Sequence, residues 1–535
     1  MGTTAPKTIG VAGAGTMGAG IAQLACLAGA RTLLHDPVPD ALERGLAQIR
    51  DHLDRGAARG RWSAEDAAAA AERLEPAQRL EELAPCELVI EAAPERLELK
   101  RELFASLSER VVSDRCVLAT NTSSLLVTAI ASAAKGPERV VGMHFFNPAP
   151  LMPLLEVVAG EQSSGEALAV ARATGEAMGK VVIDAVDGPG FLVNRCNRPF
   201  GLEGLRLLQE AVASVEEIDR ICRLEGGFRM GPFELMDLVG VDVGLEVARS
   251  FYEQSFGEPR WRPSQIAVKT VAAGRLGRKS GRGYFDYSGG TDSYRQPDPD
   301  PLPRGGGDGV VVIAGDMPLA DELREAAAEA GWDVLEPEEA GDRQPPSVIV
   351  DVTGGPAEEP LDVPLEGGPQ IICCSSASLA ALDPGGGAVG FHALPPLSEA
   401  RLIELTRGPD SASSAAAAAE RFFDTLGKHT VWVGDAPGLV LGRIVCQVIN
   451  EAAFALGEGV GSAEDIDTGM IHGLNYPRGP LAWADEIGLD HVVSVLDGLY
   501  DELREERYRV APALRRLTLS GRLGRQTGEG FFRHD

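Results

Sequence analysis

Thr8-Ile9-Gly10-Val11-Ala12-Gly13-Ala14-Gly15-Thr16-Met17-Gly18 decides the fold of the first part of this chain. The first five residues form a short apolar run that fits a buried parallel strand. Gly13 to Gly18 then reads G-x-G-x-x-G, and small apolar residues carry on as a helix to Ala28, with Gly29 suited to its end. A second strand, Arg31 to His35, stops at Asp36. Each part has a physical task. Gly13 makes a tight turn, Gly15 lets the backbone approach a pyrophosphate, and Gly18 allows close helix–strand packing. The helix start at Thr16 and Met17 offers unpaired N–H groups and a partial positive charge. Asp36, placed to accept hydrogen bonds from adenosine ribose hydroxyls, would repel a 2′-phosphate. The pattern predicts binding of NAD rather than NADP. A glycine-rich turn without a ligand would not need the flanking strand, helix and acid together.

The chain has 535 residues, 44% of them hydrophobic and 24% charged, a globular balance with room for several domains. Its formal net charge is −29. That excess argues against nucleic acid or a membrane surface as partner, because phosphates need local cations. No apolar run approaches the ~18 residues of a membrane span. The start lacks a secretory h-region, and Pro6 stands where a myristoylation signal on Gly2 wants Ser or Thr. Eight scattered Cys without C-x-x-C spacing read as reduced core thiols and argue against structural zinc. A cytoplasmic protein is expected.

Downstream, Pro37 to Leu83 reads as a helical excursion, in which Arg50, Arg55, Arg59 and Arg61 form a basic cluster. They make either a solvated helix face or a contact for an anionic substrate tail. Glu87 to Ala92 and Val117 to Thr120 resume the sheet, so strands and helices alternate as in a doubly wound α/β domain. Asn121-Thr122-Ser123-Ser124 follows one strand, where such sheets place their ligands. Another run, Val140 to Met143, ends at His144-Phe145-Phe146-Asn147-Pro148, and Glu156 stands alone in the apolar Leu154 to Val158. A lone buried acid needs a partner. A His–carboxylate pair beside a dinucleotide suits a dehydrogenase: the imidazole takes a hydroxyl proton, the carboxylate orients the ring, and Ser123 holds the reacting oxygen.

With these motifs in order, the chain resembles the 3-hydroxyacyl-CoA dehydrogenase family. The match continues through Gly188-Pro189-Gly190-Phe191-Leu192-Val193-Asn194-Arg195, Met230 to Asp237, and Gly277 to Tyr284. The resemblance implies a Rossmann-like domain followed by an all-helical, 6-phosphogluconate-dehydrogenase-like domain that closes the cleft and carries the dimer contact. It implies His144 as general acid/base with Glu156 as its partner, and Ser123 and Asn194 at the substrate's 3-oxygen or the histidine. It puts Glu95, Lys100 and Asn121 on the cofactor side, with Lys100 near the nicotinamide ribose. The implied reaction is NAD-linked oxidation of an (S)-3-hydroxyacyl-CoA, and its reverse.

The second half reads as a worn copy of the first. Val310 to Gly315 matches the first strand and glycine, Leu319 to Ala330 the first helix, and Glu336-Pro337 matches Asp36-Pro37. Cys374-Ser375-Ser376 parallels Thr122 to Ser124, and His392 and Glu404 keep the spacing of His144 and Glu156. The helical module repeats more clearly, in Asp435 to Arg443, Arg478 to Asp485 and Leu523 to Phe531. The copy has Met317 for the second glycine, Asp316 and Asp321 near the helix start, and Gly442 where Asn194 stands. It is expected not to bind NAD. The expected division is 1–186, 187–290, a linker over 291–308, 309–434 and 435–535. The two helical modules are expected to pair within one chain as a pseudo-dimer, with further homo-oligomerisation open.

This arrangement resembles the longer bacterial members acting on 3-hydroxybutyryl- or 3-hydroxyadipyl-CoA. It also resembles the dehydrogenase part of multifunctional fatty-acid oxidation proteins, which carry a hydratase ahead of the fingerprint; with the fingerprint starting at residue 13, no hydratase is expected here. Two alternatives remain at this stage: a dehydrogenase of a free hydroxy acid or sugar acid, and a non-catalytic NAD-binding scaffold.

Overall fold

The apolar runs of the first 190 residues assemble into one eight-stranded sheet in the computed structural model, which describes residues 4–290, 294–340, 345–353 and 368–534. Gly2 and positions 291–293 of the expected linker lie outside the described residues. The chain forms two compact units: residues 1–195 with 458–474, and residues 196–457 with 475–535. They cut across any division drawn along the chain, because one helix of the last quarter, Ala463–Leu474, packs on the first sheet.

In the first unit the strands are β1 (Thr8–Ala12), β2 (Arg31–His35), β3 (Leu74–Ala77), β4 (Leu88–Glu91), β5 (Val117–Thr120), β6 (Val140–Phe145), β7 (Leu154–Ala159) and β8 (Val181–Val186), in the order β3-β2-β1-β4-β5-β6-β7-β8. Strands β4, β5 and β6 are buried along their whole length, as apolar runs covered on both faces must be. The sequence direction reverses across β1 and β4, which opens a crevice at their carboxyl ends. The Thr16–Leu27 helix, rich in Gly and Ala, is buried over most of its length against this sheet. The Pro39–Ala58 helix buries Leu42, Leu46, Ile49 and Leu53 along one stripe and turns its arginines outward.

The sheet is not uniformly parallel. β7 runs antiparallel to β6, and β8 then pairs with β7 in parallel. A purely parallel doubly wound sheet could not pair two residues 12 apart in the sequence, because parallel neighbours need a crossover of a dozen or more residues.

The second unit holds a second sheet of seven strands: β9 (Val310–Ala314), β10 (Asp333–Leu335), β11 (Val348–Asp351), β12 (Gln370–Cys373), β13 (Val389–His392), β14 (Leu402–Arg407) and β15 (His429–Trp432). Its order, β10-β9-β11-β12-β13-β14-β15, repeats the first sheet without a counterpart of β3, and β13 and β14 repeat the antiparallel pair. The α/β half of the chain is therefore duplicated, as the sequence predicts.

Both helical modules keep a buried aspartate as keystone. Asp237 accepts the backbone N–H of Tyr284 and Phe285, and Asp485 those of Phe531 and Phe532. A Cβ on Gly283 or Gly530 would collide with these carboxylates, which explains the repeated glycine motif. The expected linker is not a free tether. Arg295 pairs with Glu234 at 3.1 Å, Asp298 with Arg223 at 2.9 Å, and Pro299 accepts from Arg401 at 2.5 Å. Its arginine and acidic side chains pin what its Gly and Pro content alone would leave loose.

The Arg198–Gln209 helix of the first module packs against Leu441–Gly457 of the second. Arg443, fully buried, donates to Glu203 at 2.6 Å, to Glu210 at 2.6 and 3.0 Å, and to the Tyr508 hydroxyl at 2.8 Å. Tyr508 in turn donates to Glu203. Removing one partner of a buried ion pair strands the other charge. Arg443→Leu is expected to lower the unfolding free energy by about 3–5 kcal/mol in urea denaturation; a loss below about 1 kcal/mol would show that Glu203 finds other compensation.

Candidate active site

The crevice between β1 and β4 is shaped by three glycines. Gly13 has φ +118°, and a Cβ there would lie 2.5 Å from the carbonyl oxygen of Ala92. A Cβ on Gly18 would lie 1.8 Å from the Gly13 carbonyl. Around Gly15 there is open space, with nothing within 4 Å of a Cβ. Gly15 also starts the Thr16–Leu27 helix without a side-chain cap, so its N–H groups face that space. Asp36 accepts the N–H of Ala14 and of Val38, both at 2.9 Å. A carboxylate has about four acceptor sites, so two bonds leave capacity for ribose hydroxyls. Met17 packs on the core beneath. These residues fit a dinucleotide.

Beyond β4 and β5 lies a polar network that sequence reading found only in part. Lys100 is 1% exposed. Its ammonium donates to Glu91 at 2.6 Å and to the Ala93 carbonyl at 3.3 Å, and lies 3.3 Å from Glu95. The resemblance implies Lys100 near a nicotinamide ribose; here it stands between Glu91 and Glu95. Glu91, which no sequence signal singled out, also accepts from Thr120 and from the N–H of Ala93. Glu95 accepts from the Thr122 hydroxyl at 2.5 Å, from the N–H of Ser123 and Ser124 at 3.0 Å each, and from the Ser124 hydroxyl at 2.9 Å. Burial pushes its pKa up, but Lys100 and these donors outweigh burial and hold the carboxyl below its ordinary value. The network fixes the turn that carries Ser123. Asn121 accepts the N–H of Phe145 at 2.9 Å, tying the end of β5 to the residue after His144.

His144 and Glu156 face each other as a register pair of β6 and β7. His144 Nδ1 lies 2.6 Å from Glu156 Oε2. Glu156 is fully buried, and its other oxygen accepts the N–H of Leu192 and Val193 at 3.1 and 3.0 Å. These N–H groups come from the turn after Gly188-Pro189-Gly190, where Phe191 has φ +52°. Asn194 follows directly, in the short Val193–Cys196 helix. Phe146 packs on the imidazole at 4.6 Å between centroids and Phe191 at 5.7 Å. With Nδ1 bound to the carboxylate, Nε2 is the nitrogen left for proton transfer.

A separate cleft of about 280 Å³ opens between the arginine-bearing helix and the Pro148-to-Leu151 loop. Arg55, Arg59, Arg61, His52, Trp62 and the buried Gln23 line it. Arg50 is exposed but is not part of this lining. Arg55 is paired with Asp51. Sequence reading missed Gln23, His52 and Trp62. Only Gly56 signals the tryptophan, since a Cβ there would lie 1.9 Å from its ring.

The second copy keeps the register pair but not the bond. His392 stands opposite Glu404 across β13 and β14, yet its Nε2 lies 3.1 Å from His491 Nε2. The ring lies over Gly442, where a Cβ would come within 2.2 Å of it. Both histidines are fully buried, and burial drives both pKa values down, His491 to about 4. The second glycine turn is also altered. Arg324 donates to the carbonyls of Ile313 and Gly315 and pairs with Glu336 at 3.1 Å, while Met317 packs in the core and Pro318 removes a helix-start N–H. Among the described residues, no helix of either unit is long and apolar enough to cross a membrane.

Residues 8–188 match the family model of the 3-hydroxyacyl-CoA dehydrogenase NAD binding domain. Residues 190–287, and again 438–534, match that of the C-terminal domain, so the helical module is duplicated. The chain is 36% identical over 513 residues to the 3-hydroxyadipyl-CoA dehydrogenase of Escherichia coli, covering 96% of this chain and 98% of that one. It is 40% identical over 281 residues to a probable 3-hydroxybutyryl-CoA dehydrogenase of Bacillus subtilis, covering 52% of this chain and 97% of the relative. A solved structure of 3-hydroxybutyryl-CoA dehydrogenase from Escherichia coli matches with a TM-score of 0.77 at 33% identity, over 96% of this chain and 99% of that one. Its crevice, its paired His144 and Glu156, and these matches over nearly its full length make the chain an NAD-dependent oxidoreductase of the 3-hydroxyacyl-CoA dehydrogenase family.

Proposed function

We propose that the chain interconverts a short-chain (S)-3-hydroxyacyl-CoA and the 3-ketoacyl-CoA, with His144 as general acid/base. The observation that carries this reading is the 2.6 Å bond from His144 Nδ1 to the fully buried Glu156. In the oxidative direction Nε2 takes the proton of the substrate's 3-hydroxyl. Glu156 holds the ring in the tautomer with Nε2 unprotonated and stabilises the imidazolium that forms. Because Leu192 and Val193 already bind its second oxygen, Glu156 stays fixed while the charge on the ring changes. Ser123 and Asn194 contact the 3-oxygen and polarise it in the reductive direction.

Gly13, Gly15, Thr16, Met17 and Gly18 would hold the pyrophosphate of NAD, and Asp36 the adenosine ribose. Glu95 and Asn121 would face its nicotinamide side, with Lys100 acting through Glu95. When bound, NAD supplies the hydride acceptor. Arg55 and Arg59, beside Trp62, give the anionic, aromatic nucleotide end of CoA a matching cleft; Arg50 lies outside it. The names of the relatives favour 3-hydroxybutyryl- or 3-hydroxyadipyl-CoA as substrates. The two helical modules, joined through Arg443, serve as an intrachain pseudo-dimer, and the repeat divides as 1–186 with 187–290 and 309–434 with 435–535.

His144→Ala is expected to lower kcat by about 10²–10⁴-fold with NADH affinity within about twofold by fluorescence titration. Near-normal turnover would remove His144 from the mechanism. NADH oxidation is expected to be rapid with acetoacetyl-CoA, and weak with NADPH or with free acetoacetate. Comparing acetoacetyl-CoA with 3-oxoadipyl-CoA then separates the two substrates. Reversing both arginines, Arg55→Glu with Arg59→Glu, is expected to raise KM for acetoacetyl-CoA about tenfold, or about 1.4 kcal/mol, at unchanged kcat. An unchanged KM would place CoA elsewhere. Because Met317 and Pro318 replace Gly15 and Thr16 in the second copy, equilibrium titration is expected to find one NADH per chain; two equivalent sites would contradict this.

A further inference from the structure

The second half of the chain supplies a helix to the first α/β domain. Ala463–Leu474 packs on β7 and β8, and Val460 just before it accepts the N–H of Val186 at the end of β8 at 2.9 Å. Three glycines face the first domain. A Cβ on Gly461 would lie 2.7 Å from Leu192. One on Gly469 would lie 2.7 Å from Val193 and 2.9 Å from Ile183. One on Gly473 would lie 2.7 Å from Leu154, 3.3 Å from Val193 and 3.4 Å from Phe146.

These neighbours support the acid/base pair. Leu192 and Val193 donate their N–H groups to Glu156, and Phe146 packs on the His144 ring. The helix therefore touches what holds the carboxylate and what holds the imidazole, and none of the reacting atoms.

The chain contains its own comparison. In the first helical module the matching helix, Val215–Leu224, packs on β14 of the second sheet, and Gly434 after β15 donates to Val212 at 2.7 Å. At the positions of Gly461, Gly469 and Gly473 it carries Ala213, Ile221 and Glu225. Glu404 there still accepts the N–H of Val440 and Leu441, both at 2.8 Å. But the buried Glu225 carboxyl approaches Glu404, and His392 is bonded to His491 instead. The His–Glu bond exists where the helix face is glycine and is missing where it is Ile and Glu.

We propose that Gly469 and Gly473 are positioning residues for the His144–Glu156 pair, so that the half without a dinucleotide site serves catalysis in the first. The proposal rests on His144 being the acid/base. The test makes Gly469→Ala and Gly473→Ala separately in the full chain. A misplacement of well under an ångström in a catalytic pair can cost roughly 10- to 100-fold, so kcat is expected to fall in that range, with NADH affinity within about twofold and thermal stability nearly unchanged. The imidazole NMR resonances of His144 should shift as the bond to Glu156 loosens. Val193→Ala added to Gly469→Ala removes the nearer of the two clashing side chains, Ile183 being the other, and is expected to recover part of the lost kcat and of the resonance shift. That double variant keeps the test usable if Gly469→Ala does not fold. Wild-type kcat and an unmoved imidazole in the alanine variants would overturn the proposal, as would a loss that the double variant does not recover. The NMR readout needs no substrate, so it separates this outcome from a failure of the proposed reaction.

Discussion

One buried carboxylate organises the catalytic half of this protein. Glu156 sits fully enclosed in β7, where an unpaired charge would be prohibitively costly. It is tolerable because three donors converge on it: the His144 ring and the N–H groups of Leu192 and Val193. They come from two separate parts of the chain. The histidine needs β6 to run antiparallel to β7, and the N–H groups need the left-handed turn at Phe191. The buried His–Glu pair is thus bound up with the local fold.

The two halves show which constraints survive when that chemistry is lost. Both sheets keep the antiparallel pair, both buried glutamates keep their two backbone donors, and Phe191 and Leu439 keep the same positive φ. Both helical modules keep the buried aspartate and the glycines packed on it. These are requirements of folding. What has gone is specific to binding and proton transfer. Met317 stands where Gly15 does, and Arg324 donates to the Gly315 carbonyl; Asn194 has become Gly442; and the histidine bonds to another buried histidine. The second α/β domain has retained its scaffold and replaced its site with packing.

Much of this was legible because the relevant spacings are local. Gly13, Gly15, Gly18 and Asp36 lie within one strand–helix–strand unit, so their geometry follows from sequence distance alone. The copied motifs from Asp435 onward were legible for the same reason. The ion pairs of Lys100 with Glu91 and Glu95 were not legible, because no one-dimensional pattern shows which carboxylates a lysine meets in the fold. The cleft beside Arg55 and Arg59 was half legible: the arginines stand out in an acidic chain, whereas Gln23 and Trp62 reach it only through folding. The Gly-rich stretch before β9 read as a tether because composition carries no record of the ion pairs that hold Arg295 and Asp298.

The sequence by itself determined the glycine crevice, the spacing of His144 and Glu156, the family, and the existence of a second, worn copy. Each depends on residue types at short, fixed spacings. Only the tertiary structure decided whether a spaced His and Glu actually bond. His144–Glu156 and His392–Glu404 have the same separation and the same register, and one pair bonds while the other does not. The difference lies in what packs behind them: glycines of Ala463–Leu474 in one case, and Glu225, His491 and the bare Gly442 in the other. Those neighbours are distant in sequence, and a hydrogen bond in a buried site is settled by the groups that compete for it.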